Sequence, residues 1–265
     1  NYMHHFAISN DQGKSWIPHA VADIPYKSPI DCPQLTFSKG TLYCLYARVL
    51  YRSDDGGERW TQIKSLRNNK EEGVANPILR SGSDGEIILL WDKITVTSDA
   101  KLMGGMIEGH LDIVCSVSSD GGKTWWETNP INDTRLPFVR EFGGLADINK
   151  RAADVLSKSA ESDTMPIIHD LAVGRNGAGI LAAAWTDCRD GLAAVWLSYS
   201  KDNGKTWAKN AKAPIESTGK ALQVRLCLPK GNELYVLWSS GAPDPDMAFA
   251  FKDVSVYSLA GEISE

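Results

Sequence analysis

Aspartate recurs in this chain at one fixed position of an eight-residue pattern, Ser-x-Asp-x-Gly-x-x-Trp. The pattern occurs at residues 9–16, 53–60, 118–125 and 200–207, and its carboxylates are Asp11, Asp55, Asp120 and Asp202. Carboxylates repeated in this way could be catalytic groups or calcium ligands. Four equivalent turns on four separate units cannot converge on one site, however, so the repeat indicates a repeat architecture and a structural role.

The chemistry of the pattern is that of a tight turn. The Asp is suited to accept hydrogen bonds from backbone amides just downstream, and the Gly supplies a positive φ. The Trp then returns a large apolar surface to the body of the domain, with its indole N–H available to a carbonyl. Strand-like runs such as Ile113–Val117 and Val195–Tyr199 precede the turns, so each turn is predicted to join two antiparallel strands.

Candidate functional residues lie outside these turns. Histidine and aspartate occur together at His110 with Asp112 and at His169 with Asp170. Arg225 lies in a strand-like run and could point to a central axis or could equally be a paired strand charge.

Length and composition exclude several classes of function. A 265-residue chain with a net charge of −5 can form one large all-β domain, and it lacks the basic surface of a nucleic-acid-binding protein. No apolar stretch approaches a membrane span of roughly 20 residues, and residues 1–15 lack the plan of a signal peptide. Residues 174–177 form a predicted hairpin turn with no following helix, so they are not a phosphate-binding loop, and no cofactor is expected.

The five cysteines are scattered singly, without a Cys-x-x-Cys pair, so no zinc or other metal site is predicted. Cys44, Cys115 and Cys227 lie in apolar strand-like runs and are expected to be buried thiols.

Short predicted strands group into units of four, with the repeated turn between the third and fourth strands. This is the plan of a β-propeller blade. The predicted strands are Gln34–Phe37, Thr41–Ala47, Val49–Ser53 and Thr61–Leu66; Pro77–Arg80, Glu86–Trp91, Leu111–Ser118 and Trp126–Asn129; Ile167–Val173, Gly179–Thr186, Ala193–Ser200 and one from Trp207; and Leu222–Leu228, Glu233–Ser239, Ala248–Phe251 and Val254–Leu259.

The sequence therefore predicts one all-β propeller domain over residues 1–265, with five or six blades of four antiparallel strands. The first repeated turn follows only eight residues of chain, so the chain is expected to start in the middle of a blade. Either the C-terminal strands complete that blade or the ring is incomplete. The long segments at Asp92–His110, Glu127–Pro166 and Gly241–Asp246 are expected on the face opposite the repeated turns, where loops could form a site.

The repeated turn and the blade order resemble the sialidase (neuraminidase) superfamily and its bacterial neuraminidase repeat, or Asp-box, relatives. This resemblance implies a carbohydrate-active protein related to glycoside hydrolases, with a glycan or glycoconjugate as partner and a secreted or cell-surface location. Sialidases hold the substrate carboxylate with three arginines, and use an Asp acid/base and a Tyr nucleophile assisted by a Glu.

Only some of the sialidase site residues have a counterpart in this chain. Asp31 stands where the family's first arginine is expected, and the loop that would carry the acid is shortened to Arg48-Val49-Leu50-Tyr51, without a carboxylate. Classical exo-sialidase activity is therefore not expected.

Other positions fit the family better. Asp187 and Arg189 match the turn that carries the family's third arginine, although a salt-bridged structural turn is the alternative. Tyr257 lies late in the chain, as the nucleophile would, although a half-buried strand tyrosine is the alternative. With Arg225 these are the candidate catalytic residues, and the candidate substrate-binding residues are Arg48, His110, His169 and Asp170.

Three hypotheses follow. The chain is a glycoside-hydrolase-related enzyme with an altered site, or it is a propeller that binds a glycan or protein without chemistry. As a third hypothesis, it is a piece of a larger propeller.

Overall fold

All four repeated turns close β-hairpins in the computed structural model of the chain. The structure describes residues 4–21, 23–25, 33–66, 72–82, 84–96, 106–141, 170–187, 189–190, 194–214, 220–229, 231–243 and 251–263. In each repeat the Asp accepts a hydrogen bond from the backbone amide four residues later, as Asp202 Oδ1 does from Thr206 at 2.8 Å. The repeat Ser hydroxyl accepts the amide of the Gly, as in Ser200 and Gly204 at 2.8 Å. The predicted turn chemistry is confirmed.

The Gly of the repeat has a backbone conformation that other residues rarely adopt. Gly57 has a φ of 98°, and a Cβ built there would lie 2.2 Å from the ring of Phe6. A residue with a side chain would be strained here by the positive φ and by the contact with Phe6, which explains why the repeat has Gly at this position.

The repeat tryptophans differ in their environments. Trp60 and Trp125 donate their indole N–H to the carbonyls of Gly57 and Gly122 at 2.9 and 3.0 Å, as predicted. Trp16 is 62% exposed, so the prediction of a packed ring is wrong for the first repeat. Trp207 is partly buried, and its indole nitrogen has no hydrogen-bond partner in the described part of the chain.

Eighteen strands form five antiparallel sheets among the described residues. Sheet 1 consists of β1 (His4–Ile8) and β2 (Ile17–Val21). Sheet 2 consists of β3 (Gln34–Ser38), β4 (Thr41–Tyr46), β5 (Val49–Ser53) and β6 (Thr61–Ser65). Sheet 3 consists of β7 (Glu72–Ser81), β8 (Ile87–Val96), β9 (Met106–Ser118) and β10 (Trp126–Glu127), with β11 (Leu136–Glu141) also on β9. Sheet 4 consists of β12 (Leu171–Arg175), β13 (Leu181–Asp187), β14 (Ala194–Ser200) and β15 (Ala211–Lys212). Sheet 5 consists of β16 (Lys220–Cys227), β17 (Glu233–Pro243) and β18 (Phe251–Glu262).

Consecutive sheets pack face to face, and each junction has its own apolar core. The core between sheets 3 and 4, for example, joins Leu90 and Ile113 to Leu171 and Trp185, all of them fully or almost fully buried. Further cores join sheets 1 and 2, sheets 2 and 3, and sheets 4 and 5. Sheets stacked in chain order around their first strands are the arrangement of a β-propeller, and the predicted fold class is confirmed.

The last predicted unit differs from its prediction. The interval Val254–Leu259 lies within one 12-residue strand, β18, which pairs with β17 as the third strand of sheet 5. The prediction of a separate fourth strand there is wrong, because Phe251 to Glu262 continue without a break. Part of the interval Ala248–Phe251 lies outside the described residues.

Strands also extend into the segments predicted as long loops. β8 continues to Val96 and β9 begins at Met106, so both ends of the interval Asp92–His110 are sheet. β11 lies within the interval Glu127–Pro166 and pairs with the start of β9. β17 likewise continues to Pro243. Sheets 3 and 5 therefore project beyond the others at the ends of their strands opposite the repeated turns.

The terminal sheets have fewer strands than the central ones. In the described part of the chain, β1 and β2 pair only with each other, and β16, β17 and β18 form a three-stranded sheet. The number of blades and the single-domain organisation stay predictions.

Buried thiols are confirmed at two of the three expected positions. Burial raises the pKa values of Cys44 and Cys115 to about 12, whereas Cys227 is exposed, so the prediction is wrong for Cys227. Cys32 and Cys188 lie outside the described residues. The described residues contain no group of three metal-binding side chains, and none of their helices is long and apolar enough to span a membrane.

Candidate functional site

Two innermost strands share one local arrangement that places an arginine beside the central axis. In β7 a β-bulge lies between Ala75 and Ile78, and the backbone amide of Leu79 donates to Gln34 Oε1 at 3.0 Å. Arg80 follows directly, and its Nη1 donates to the carbonyl of Leu79 at 2.8 Å. Gln34, which lies on the innermost strand of sheet 2, thus holds the bulged strand of sheet 3.

The same arrangement recurs in sheet 5 with a charged residue in place of the glutamine. β16 has a bulge between Ala221 and Val224, and the amide of Val224 donates to Asp170 Oδ2 at 2.6 Å. Arg225 follows, and its Nη1 donates to the carbonyl of Val224 at 2.7 Å and to Asp170 Oδ2 at 3.0 Å. The structure therefore brings together two predicted site residues, Asp170 and Arg225.

Arg225 retains unused hydrogen-bonding capacity. Its side chain is 59% exposed, and its Nε and Nη2 atoms have no hydrogen-bond partner among the described residues. Desolvation, followed by the positive charge of Arg225, lowers the pKa of Arg80. The two arginines are therefore close enough to repel each other, and an anion between them would relieve that repulsion.

Arg80 was not among the residues selected from the sequence. The signal that could have found it is its equivalence to Arg225: each follows a buried residue on the first strand of its blade. Sheet 5 carries none of the four repeated turns, so spacing from a repeated turn does not align these positions.

Asp187 and Arg189 also lie together, but in a buried cluster away from the innermost strands. Arg189 Nη2 lies 2.7 Å from Asp187 Oδ2, and the two side chains are 7% and 0% exposed. Arg189 Nη1 donates to Asp133 at 2.7 Å and to Asn210 at 3.2 Å. Its guanidinium carbon lies 4.1 Å from the ring centre of Trp196. These contacts are those of the structural alternative, a salt-bridged turn.

Tyr257 lies on β18, with its ring stacked on Trp238 at 5.7 Å between centroids. It packs against the apolar core between sheets 4 and 5. Its environment is that of a half-buried strand tyrosine, and the structure does not bring it together with Asp187 and Arg189 in one polar cluster.

Another set of polar groups lies on the projecting end of sheet 3, which we term the sheet 3 shelf: Lys93, His110, Asp112 and Arg135. Asp112 lies directly opposite Lys93 in the pairing of β8 and β9. His110 Nε2 and Arg135 Nε each lie 3.6 Å from an Asp112 carboxylate oxygen. Of these four, His110 was predicted as a substrate-binding residue, and Asp112 was a candidate beside it.

Arg48 lies between sheet 2 and this shelf. It occupies the tight turn between β4 and β5 with a φ of 66°, and its Nε donates to the carbonyl of Val74 at 2.6 Å. Val74 is the strand partner of Lys93. The remaining predicted residue, His169, and the substituted position Asp31 lie outside the described residues.

The comparisons with known proteins agree with the repeated turns. Residues 198–209 match the model of the BNR/Asp-box repeat, which confirms the resemblance on which the sequence analysis relied. A search of curated protein sequences found no match to the chain.

Several solved structures are similar to the chain at low identity. The GH93 alpha-L-arabinofuranosidase of Fusarium graminearum is 16% identical, with a TM-score of 0.47, over 90% of this chain and 65% of that protein. The Hadza microbial sialidase Hz136 is 15% identical, with a TM-score of 0.44, over 87% of this chain and 45% of that protein. An endo-arabinase from Bacteroides thetaiotaomicron is 13% identical, with a TM-score of 0.37, over 94% of this chain and 82% of that protein. The chain thus spans less than two thirds of the first two, and it resembles glycoside hydrolase propellers only distantly.

Proposed function

We propose that this chain is a sialidase-like Asp-box propeller that binds or cleaves a glycan through an acidic sugar unit. The sugar's carboxylate lies between Arg80 and Arg225 on the innermost strands, and Asp170 orients Arg225. The observation that carries the proposal is the exposed guanidinium of Arg225, which lies beside a second arginine and has two nitrogens without an acceptor among the described residues.

The physical basis of the proposal is the preference of arginine for carboxylates. A guanidinium presents parallel N–H donors that match the two oxygens of a carboxylate, and such charge-assisted pairs are stronger than neutral hydrogen bonds. Asp170 neutralises only one of the two arginines, so the pair retains net positive charge. A neutral sugar would leave that charge without a counterpart.

Binding without chemistry is the alternative function, and the sequence favours it because the family's first arginine and its acid loop are altered. Hydrolysis of a fluorogenic sialoside distinguishes the two alternatives. Turnover at ordinary enzyme concentrations would contradict the expectation that the classical sialidase machinery is incomplete.

The binding proposal is tested by calorimetric titration with N-acetylneuraminic acid and galacturonic acid, and with galactose as the neutral comparison. The acidic sugars are expected to bind more tightly, and Arg80→Ala and Arg225→Ala are each expected to lower their affinity about tenfold, the loss of roughly one charge-assisted hydrogen bond. Arg59→Ala is the matched control, because Arg59 is an exposed arginine paired with Asp55 on a repeated turn.

Equal affinity for galactose and galacturonic acid would contradict the proposal, as would equal losses in Arg225→Ala and Arg59→Ala. Thermal unfolding of each variant shows whether a loss of affinity comes from a loss of fold.

A further inference from the structure

Asp112 on the sheet 3 shelf has a buried carboxylate oxygen without a hydrogen-bond donor. The side chain is only 7% exposed, yet Oδ1 has no hydrogen-bond partner among the described residues. Among the described residues, Oδ1 forms an ion pair with Arg135 Nε at 3.6 Å, a distance too long for a hydrogen bond. Because a buried, unsatisfied acceptor is costly, this oxygen is available to a hydrogen-bond donor from a ligand or from water.

The groups around this oxygen are basic and at least partly exposed to solvent. Arg135 is 67% exposed and His110 is partly exposed, so both can contact a ligand without rearrangement of the core. Lys93 lies beside Asp112 and is partly exposed, and its Nζ lies 3.9 Å from Glu127 Oε1. Arg48 adds a fourth basic side chain through its contact with Val74, the strand neighbour of Lys93.

A ligand that matches these groups has two features. It carries a hydroxyl that can donate to Asp112 Oδ1, and close to that hydroxyl it carries an acidic group that can accept from Arg135 and His110. A sugar acid has both features on one ring. A neutral sugar provides only the hydroxyl, and a simple anion provides only the acceptor.

We infer that the sheet 3 shelf is a second sugar-binding subsite, which takes another acidic unit of the glycan bound between Arg80 and Arg225. This inference rests on the proposed function for the identity of the ligand. Val74, next to Lys93, lies six residues before Arg80 on β7, so the two subsites are about 20 Å apart at the rise of a β-strand. The preferred ligand is therefore a polyuronate or similar acidic polysaccharide of several units.

The experiment measures the affinity of the protein for galacturonate as monomer, dimer, tetramer and octamer by calorimetry. The octamer is expected to bind at least tenfold more tightly than the monomer, because it alone spans both subsites. Arg135→Ala and Asp112→Asn are expected to remove this gain and to leave the affinity for the monomer unchanged. Arg59→Ala, which removes an even more exposed arginine elsewhere, is expected to leave both affinities unchanged.

The outcomes separate the shelf subsite from the site between Arg80 and Arg225. If Arg225→Ala leaves monomer binding unchanged while Arg135→Ala still weakens the octamer, the proposed function fails and the shelf subsite stands. If Arg135→Ala and Asp112→Asn leave the octamer affinity unchanged, or if the octamer binds no better than the monomer, the inference is overturned and water alone satisfies Asp112. Since Arg135 is exposed, its variant is expected to fold, and unchanged thermal unfolding verifies this.

Discussion

Two arginine–aspartate pairs in this molecule have the same chemistry and opposite surroundings. Arg189 and Asp187 lie in a buried cluster in which the guanidinium contacts two carboxylates, an amide oxygen and a tryptophan ring. Arg225 and Asp170 lie on innermost strands, and Arg225 keeps most of its donors exposed. All three guanidinium nitrogens of Arg189 donate to protein acceptors, whereas among the described residues Arg225 donates only through Nη1.

The difference shows that the identity of a charged pair is a poor guide to its role. What decides the role is how many hydrogen-bond donors the surrounding protein has already satisfied. In a buried pair the desolvation of both charges makes each partner indispensable to the other. In an exposed pair water replaces either partner at little cost, so the side chain is free to bind something else.

The largest expected effect is on the buried pair. Arg189→Ala leaves the carboxylate of Asp187 buried without its cation, which is expected to lower the free energy of unfolding by about 3–5 kcal/mol. Urea denaturation measures the change. The double variant Arg189→Ala with Asp187→Asn is the control, because it removes the uncompensated charge and is expected to recover part of the loss. A single variant as stable as the parent would show that the cluster is not structural.

A smaller effect is expected at Asp170, which also accepts the backbone amide of Val224. Asp170→Ala leaves that amide without a partner beside the bulge and is expected to lower the free energy of unfolding by about 1–3 kcal/mol. Asp170→Asn keeps an acceptor oxygen and is expected to cost less. Equal destabilisation by the two substitutions would contradict the role given to the amide and assign it to the charge.

Much of the fold was predictable because local hydrogen bonds and glycine conformations within the repeated turn determine its structure. Asp11 and Asp202 accept local amides, and Gly57 and Gly122 adopt positive φ, in the same way in all four repeats. The single strand β18 was not predictable from composition, because Lys252 and Asp253 resemble a turn between two short apolar runs. Pairing with β17 overrides that local signal.

The candidate site was less predictable, because it depends on contacts between blades. The sequence identified Arg225 and Asp170 separately, but their pairing depends on a bulge in β16 that no local pattern indicates. Arg80 was missed for the same reason. Burial could not be inferred for Arg189, whose partners Asp133 and Asn210 are distant in the chain.

A third kind of aspartate sharpens the comparison, because its partners are almost all uncharged. In Asp202 the Thr206 hydroxyl, and then the Thr206 amide, lower the pKa from 3.8 to about 2. Because folding lowers this pKa, the ionised carboxylate stabilises the folded state at pH values above the unfolded-state pKa of 3.8. That contribution is lost as the pH falls through about 2. The free energy of unfolding is therefore expected to decrease between pH 4 and pH 2, and to decrease less steeply in Asp202→Asn. Identical pH profiles would show that hydrogen bonds from neutral groups do not hold this carboxylate ionised.

The smallest effect on stability is expected at Arg225, and it makes the sharpest contrast with Arg189. Because the pair with Asp170 is exposed, Arg225→Ala is expected to change the free energy of unfolding by less than about 1 kcal/mol. Urea denaturation of Arg225→Ala and Arg189→Ala under the same conditions provides the comparison. A loss at Arg225 as large as that at Arg189 would mean that this arginine, too, is a structural cation. Near-parental stability together with weakened binding of acidic sugars would instead separate the two pairs by role, since a side chain that contributes little to the fold while holding its donors open is available for a ligand.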